Sequence, residues 1–284
     1  MPLPRFEYLA AHGPDEALAA WCETPDAAYL AGGTDLLPQM RAGRRWPRRL
    51  IDVKHLPGLA SIRDLDDGAV AIGAAVPLAD VEAHRSVTTR FPLLAQCCAA
   101  VGAPPLRNRA TLAGNLCNAS PAADTAVALL ALEATVTVIG PAGTRSIPIA
   151  TFFVGPGRTA LAPGELLMEV VLPATATGLC GSYLRVSRRG GMDLATVGVL
   201  VARSGNLSLP RHRVALAAVA PTPLRVWEAE ALLDRQGSGA AREAAAIACA
   251  ACSPITDIRG SAEYRREMVG VFTRRAVAAL AQEA

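Results

Sequence analysis

Two short loops carry the residue types best suited to holding an anion without a metal. Ala31-Gly32-Gly33-Thr34-Asp35 and Thr111-Leu112-Ala113-Gly114-Asn115 stand about eighty positions apart, and each joins glycine to small polar side chains. Glycine lets the backbone approach a ligand closely and take positive φ, so successive N–H groups converge on one negative charge. Two such loops suit two linked phosphates better than one does, and the hydroxyls of Thr34 and Thr111 would add donors. The first loop is not the G-x-G-x-x-G dinucleotide fingerprint, and it lacks the lysine that a nucleoside triphosphatase places beside its phosphates. Taken alone, Gly32-Gly33 also fits a plain strand-to-helix turn.

The surrounding pattern supplies elements that must position these loops. Pro14-Asp15-Glu16 opens a short helix with Ala17, Leu18 and Trp21 on one side, and Tyr29-Leu30-Ala31 is a strand running into the first loop. Leu50–Val53 is a second strand, so residues 1–55 form a small α/β unit. In the next region, 56–176, a strand at Ala69–Gly73 precedes helices at Pro77 and at Phe91–Val101. Pro104-Pro105 ends the second helix and predicts an extended approach to the second loop. Asp124 opens a helix through Leu132, and Ala134–Ile139 alternates in the β-branched manner of a strand. A turn at 140–143, a return strand and a strand at Leu166–Leu172 complete the region. Residues 177–284 then give three strands (near 182–186, 195–202 and 213–219) followed by three helices (about 223–234, 240–252 and 261–281). Strands and helices segregated in this way imply an α+β domain.

Composition narrows the class. Hydrophobic residues make up 51% and charged residues 19% of 284, enough to bury a large core, while a net charge of +3 with scattered arginines gives no nucleic-acid signature. Arg41, Arg44, Arg45, Arg48 and Arg49 are expected on a solvated surface. The opening Met1-Pro2-Leu3-Pro4-Arg5 lacks a signal-peptide layout, and no stretch of about eighteen apolar residues suggests a membrane span. A cytoplasmic chain is expected. The seven cysteines include Cys97-Cys98 and Cys249-x-x-Cys252, both in helical runs without a second pair, so neither a metal site nor an iron–sulfur cluster is expected. His12, His55, His84 and His212 are dispersed, and no acid–base dyad or catalytic triad order is visible.

The wider string Arg107-Asn108-Arg109-Ala110-Thr111-Leu112-Ala113-Gly114-Asn115, followed by Ser120-Pro121-Ala122-Ala123-Asp124, makes the reading specific. Together with the first loop it resembles the FAD-binding (medium) subunits of molybdenum hydroxylases, a family that includes carbon monoxide dehydrogenase and xanthine dehydrogenase. Phe153–Thr159, Pro163–Leu167, Tyr183–Arg189, Met192–Ala195, Ala220–Pro223 and Ser261–Arg265 match later landmarks of that family in order, so the likeness covers essentially the whole chain. It implies an α+β protein with a vanillyl-alcohol oxidase-type FAD-binding fold in two subdomains and a C-terminal α+β domain.

Carried over residue by residue, the resemblance implies that Ala31, Gly32, Gly33, Thr34 and Asp35, with Thr111, Ala113, Gly114 and Asn115, line the pyrophosphate and ribityl part of FAD. Leu36 would pack near the isoalloxazine and Leu167 over a ring face. Asp124 would bond towards the ring or a loop around it, and Arg185 would stand as a cation near the flavin. The family usually has Gly-Gly-Asn where this chain has Ala113-Gly114-Asn115. A position needing positive φ would make alanine cost about 1 kcal/mol or more; a position needing only a small side chain would leave binding intact. The intact Gly114 and Asn115 favour the latter.

The function implied is that of an electron-transfer subunit in a heterotrimer, assembled as a dimer of heterotrimers. Electrons released at molybdopterin in a large subunit would pass through two [2Fe–2S] clusters of a small subunit to FAD here. An external acceptor (NAD, quinone or oxygen) would then receive them. The alternatives are a self-contained FAD-dependent oxidoreductase of the same fold, which would need an acid or base over the flavin, and a scaffold subunit that has lost FAD.

Overall fold

The computed structural model describes residues 3–189, 191–205 and 212–282. Residues 1–2 and 283–284, the ends of the first and last expected domains, lie outside that description. The first sheet holds β1 (Glu7–Ala10), β2 (Ala27–Leu30) and β3 (Arg49–Asp52), all parallel in the order β1-β3-β2. Parallel neighbours need crossovers. Here they are the helix Pro14–Glu23, with proline at its start and Asp15 and Glu16 in its first turn, and the helix Leu36–Arg41.

A second, antiparallel sheet is built from β4 (Ile62–Asp64), β5 (Val70–Gly73), β6 (Thr135–Gly140) and β7 (Gly143–Pro148), followed by a small ribbon of β8 (Phe153–Gly155) and β9 (Arg158–Thr159). Its central strand is β10 (Leu166–Leu172), giving the order β4-β5-β10-β6-β7. The Thr-Val-Thr-Val-Ile sequence of β6 alternates half-buried and buried positions, as a strand with one covered face must. The pairing of β10 with β6 slips between Leu167 and Glu169, and Met168 accepts a hydrogen bond from Ala74 N–H at 2.9 Å. That bulge lies beside the cleft described below.

The third sheet differs from the expected three strands. β11 (Leu179–Val186), β12 (Val197–Ser204) and β13 (His212–Ala217) are joined by a short β14 (Leu224–Arg225), which pairs with β13 before the helices begin. β14 has only two residues, too few for an alternation signal. Helices Trp227–Gln236, Ala241–Ala251 and Ala262–Gln282 follow.

Both faces of this third sheet are covered. Val197, Val199, Val201, Val214 and Leu216 join the core formed with the C-terminal helices. Leu200, Ala202, Ala215 and Ala217 point the other way, into a larger core shared by both preceding regions. The helix Asp124–Ala131 packs against β12, β13 and the helix Pro92–Ala100. Every one of its residues is buried, which explains its almost wholly apolar sequence.

Pro104-Pro105 also departs from expectation. These residues open a helical turn, Pro104–Arg107, with proline at the positions where the missing N–H costs nothing. Among the described residues no helix is long and apolar enough to cross a membrane.

Candidate cofactor-binding cleft

The first loop leaves the carboxyl end of β2 and enters the helix Leu36–Arg41. Its base is tied to β3, since Val53 N–H donates to Leu30 O at 3.1 Å and Lys54 Nζ to Ala31 O at 3.4 Å. Gly33 has φ +72°, the left-handed region that favours glycine. Gly32 serves a different need: a Cβ there would stand 2.0 Å from the carbonyl oxygen of Arg109. The two loops therefore touch backbone to backbone, and the absent side chain at Gly32 permits it. Among the described residues, the N–H groups of Gly32, Gly33, Thr34 and Asp35 have no acceptor within the chain.

The second loop is the start of a helix, Leu112–Asn118, and not an open loop. Thr111 is its N-cap: its Oγ1 accepts from Gly114 N–H at 3.0 Å and its carbonyl from Asn115 N–H at 3.0 Å. The segment before it is pinned by Leu78 N–H to Ala110 O at 2.7 Å. Ala113 lies within the first turn, is buried and is not among the residues at positive φ, so alanine is unstrained there. The Asn115 side-chain oxygen accepts from the Thr125 hydroxyl at 2.6 Å, which fixes the orientation of its amide. Gln39 Nε2 donates to Asn118 Oδ1 at 3.1 Å and links the helices that follow the two loops.

Between the loops lies a cleft of about 330 Å³, within the range of cofactor pockets. Eleven sequence-predicted residues line it: Ala31, Gly32, Gly33, Thr34, Asp35, Leu36, Thr111, Ala113, Gly114, Asn115 and Leu167. Burial pushes the Asp35 carboxyl above the ordinary aspartate range. Sequence reasoning had not placed Trp21, Tyr29, Arg45 or Leu161 on the lining, where the structure has them. The Pro163–Leu167 landmark held the signal for Trp21: Gly164, at φ +83°, sits where a Cβ would come within 2.8 Å of the Trp21 ring. Tyr29 closes the same corner by donating to Gly164 O at 2.9 Å.

Asp124 and Arg185 are not on this lining; they are brought to each other. Asp124 accepts from the Tyr183 hydroxyl at 2.6 Å and from Arg185 Nη1 at 3.4 Å. Arg185 is further held by the carbonyls of Ala100 and Asp193. Burial pushes the Asp124 carboxyl up to about 6, against the opposing pull of Arg185 and the Tyr183 hydrogen bond. This pair fastens the helix Asp124–Ala131 to β11 and does not reach the cleft.

The remaining candidates settle into structural roles. Cys249 and Cys252 donate their thiols to the carbonyls of Arg266 and Ala248, and Cys97 and Cys98 lie buried in the helix Pro92–Ala100. His212 pairs with Asp234 at 2.7 Å. Arg41, Arg44, Arg45 and Arg48 are exposed, whereas Arg49 pairs with Glu7 and Glu23. Arg265, at the end of the Ser261–Arg265 landmark, is 1% exposed.

A row of unsatisfied N–H groups with threonine hydroxyls beside it, walled by apolar side chains, fits a ligand that pairs a pyrophosphate with a flat apolar ring. FAD has that composition. Comparison with known proteins agrees. Residues 4–175 match the family model described as FAD binding domain in molybdopterin dehydrogenase. Residues 182–280 match that of the CO dehydrogenase flavoprotein C-terminal domain.

The carbon monoxide dehydrogenase medium chain of Hydrogenophaga pseudoflava is 37% identical over 279 residues, covering 96% of both chains. The xanthine dehydrogenase FAD-binding subunit of Escherichia coli O157:H7 is 30% identical over 269 residues, covering 92% of this chain and 91% of that one. A solved structure of carbon monoxide dehydrogenase from Hydrogenophaga pseudoflava contains a chain that superposes with a TM-score of 0.92 and 98% coverage of both. With matching models over both halves and relatives along nearly its full length, the chain belongs to the family of FAD-binding subunits of molybdenum hydroxylases, an oxidoreductase family.

Proposed function

We propose that this chain holds FAD in the cleft between its two glycine-bearing segments and serves as the electron-transfer subunit of a heterotrimeric molybdenum hydroxylase. The observation that carries the reading is the run of four unsatisfied N–H groups at Gly32–Asp35, facing a wall formed by the helix that begins after Thr111. In this reading residues 1–55 and 56–176 clasp the cofactor, and residues 177–284 pack behind them. The N–H groups and the Thr34 hydroxyl bind the pyrophosphate. Asp35 and Asn115 offer polar groups to the ribityl hydroxyls, and Leu36 and Leu167 supply apolar contact to the ring. When bound, FAD supplies the redox chemistry that couples one-electron iron–sulfur donors to an external acceptor.

The partners in this reading are a large molybdopterin subunit and a small subunit carrying [2Fe–2S] clusters, and the acceptor is NAD, a quinone or oxygen. Purification from the native source, with flavin, iron and molybdenum quantified per copy of this chain, tests it. About one FAD, four irons and one molybdenum are expected for that cofactor set. FAD without the metals, in a chain that turns over substrate alone, would mean a free-standing flavoenzyme. A chain without FAD would overturn the reading of the cleft.

A further inference from the structure

Away from the cleft, a smaller cavity of about 150 Å³ opens where the loop after the second glycine segment meets the C-terminal domain. Its lining includes Ser120, Ala122, Ala218, Ser253, Arg259 and Arg265. The two arginines are its charged residues, and no carboxylate lines it.

Arg265 is 1% exposed, and most of its guanidinium is committed. Nη1 donates to Thr196 O at 3.1 Å and Ala218 O at 2.8 Å, and Nη2 to Asp257 Oδ1 at 2.6 Å. Its Nε, also buried, has no partner among the described residues. Arg259 commits Nε and one terminal nitrogen to Asp257 Oδ2, at 3.1 and 2.7 Å. One carboxylate thus faces two guanidinium groups, and one positive charge is left over. A water molecule in the cavity would not neutralise that charge. The guanidinium edge matches the oxygens of an oxyanion better than it matches a spherical halide.

The backbone around the cavity is also unusual. Ala218 has φ +64° and Ala119, beside Ser120, has φ +46°, two of the four non-glycine residues at positive φ among those described. Strain of this kind persists where the surrounding structure enforces it. Ala218 is held from both sides: its N–H donates to Pro121 O at 2.7 Å and its carbonyl receives Arg265. A ligand here would clamp the Ser120–Ala122 loop to the C-terminal sheet.

We propose that this cavity binds one small oxyanion of the carboxylate, carbonate or phosphate class, through the uncommitted terminal nitrogen of Arg259 and the hydroxyls of Ser120 and Ser253, beside the buried charge of Arg265. The volume excludes a nucleotide.

Crystals of the FAD-loaded chain soaked in selenate give the direct test, because the glycine-loop cleft is then already filled. An anomalous selenium peak in this cavity, beside Arg259, is expected; peaks confined to other places overturn the proposal. In solution, thermal unfolding of the same FAD-loaded chain is titrated with phosphate, acetate and bicarbonate against chloride at constant ionic strength. At least one oxyanion should give a saturable rise in Tm that chloride does not, and the ion that does so identifies the class. Arg259→Gln, and Ala122→Leu growing into the cavity, should each weaken that response about tenfold or more, the loss expected when a charge-assisted hydrogen bond is removed. An identical response in the wild type and both variants overturns the proposal. So does a selenate peak with no oxyanion-specific rise, which would mark an adventitious ion only.

Discussion

Among the described residues, four consecutive N–H groups in the loop after β2 remain without an acceptor, whereas at the start of the helix Leu112–Asn118 Thr111 has already taken those of Gly114 and Asn115 and left that of Ala113. The two segments share a vocabulary of glycine, threonine and a small polar residue. The first keeps all four of these backbone donors for a ligand, and the second keeps fewer. The second is a self-capped helix start, pinned through Ala110 and pressed against Gly32, and it offers mainly a wall of side chains beside the one N–H of Ala113. Glycine content alone does not identify an anion cradle. The destination of each N–H does, and that depends on whether the following residues wind into a capped helix.

The largest expected effect tests the contact between the two segments. Gly32→Val would drive a side chain into the Arg109 carbonyl, where backbone and not a flexible side chain must give way. Overpacking of this kind should cost about 3 kcal/mol or more of stability, and FAD retained per purified chain should fall at least about tenfold. Normal FAD content in that variant would mean that the segments do not need to touch.

A second test separates both loops from Asp124, which follows them in sequence but serves another junction. Folding raises this acid from 3.8 to about 6, so between those values the native chain binds a proton that the unfolded chain has released. Stability therefore falls as pH climbs through that window and levels off above it, by up to about 3 kcal/mol. Chemical denaturation of the wild type and Asp124→Asn from pH 4 to 7.5 should show the fall only in the wild type. Parallel profiles would show that the carboxyl is not confined as described.

Gly33→Ala should have a smaller effect. The left-handed φ of Gly33 costs an alanine about 1–2 kcal/mol, and titration with FAD should show roughly tenfold weaker binding. The smallest effect is expected at Ala113. Its backbone is ordinary, so Ala113→Gly should leave FAD affinity unchanged while helix propensity costs about 1 kcal/mol. Tighter FAD binding in that variant would give the second segment a backbone role and erase the asymmetry.

Much of the architecture was legible because local signals agreed with the tertiary result. The alternation of β6, the proline-led first helix and the strand-then-helix order of the C-terminal half each had a periodic or capping signal. β1, β4 and β14 had none: they are two to four residues long, too short for an alternation signal. Pro104-Pro105 misled because proline stops a preceding helix and starts a following one equally well. At the site, ten of the eleven expected residues on the cleft travel in two contiguous strings, and Leu167 joins them from β10. Asp124 and Arg185 are not on that lining; Tyr183 and Arg185 both donate to the Asp124 carboxylate from about sixty positions away. No sequence spacing reveals that contact.

The sheet of β11 to β14 contributes to two cores at once, with odd and even positions of β12 and β13 facing opposite ways. The consequence concerns cooperativity. Neither half of the protein can melt without stripping one face of this sheet, so amide exchange in β12 and β13 should report the free energy of global opening, not of a local event. A chain cut at the 173–178 segment would leave the first half with helix Asp124–Ala131 bared and the second with Leu200, Ala202, Ala215 and Ala217 bared. Fragments of that kind invite aggregation. Fusions and circular permutants should therefore keep both halves in one polypeptide.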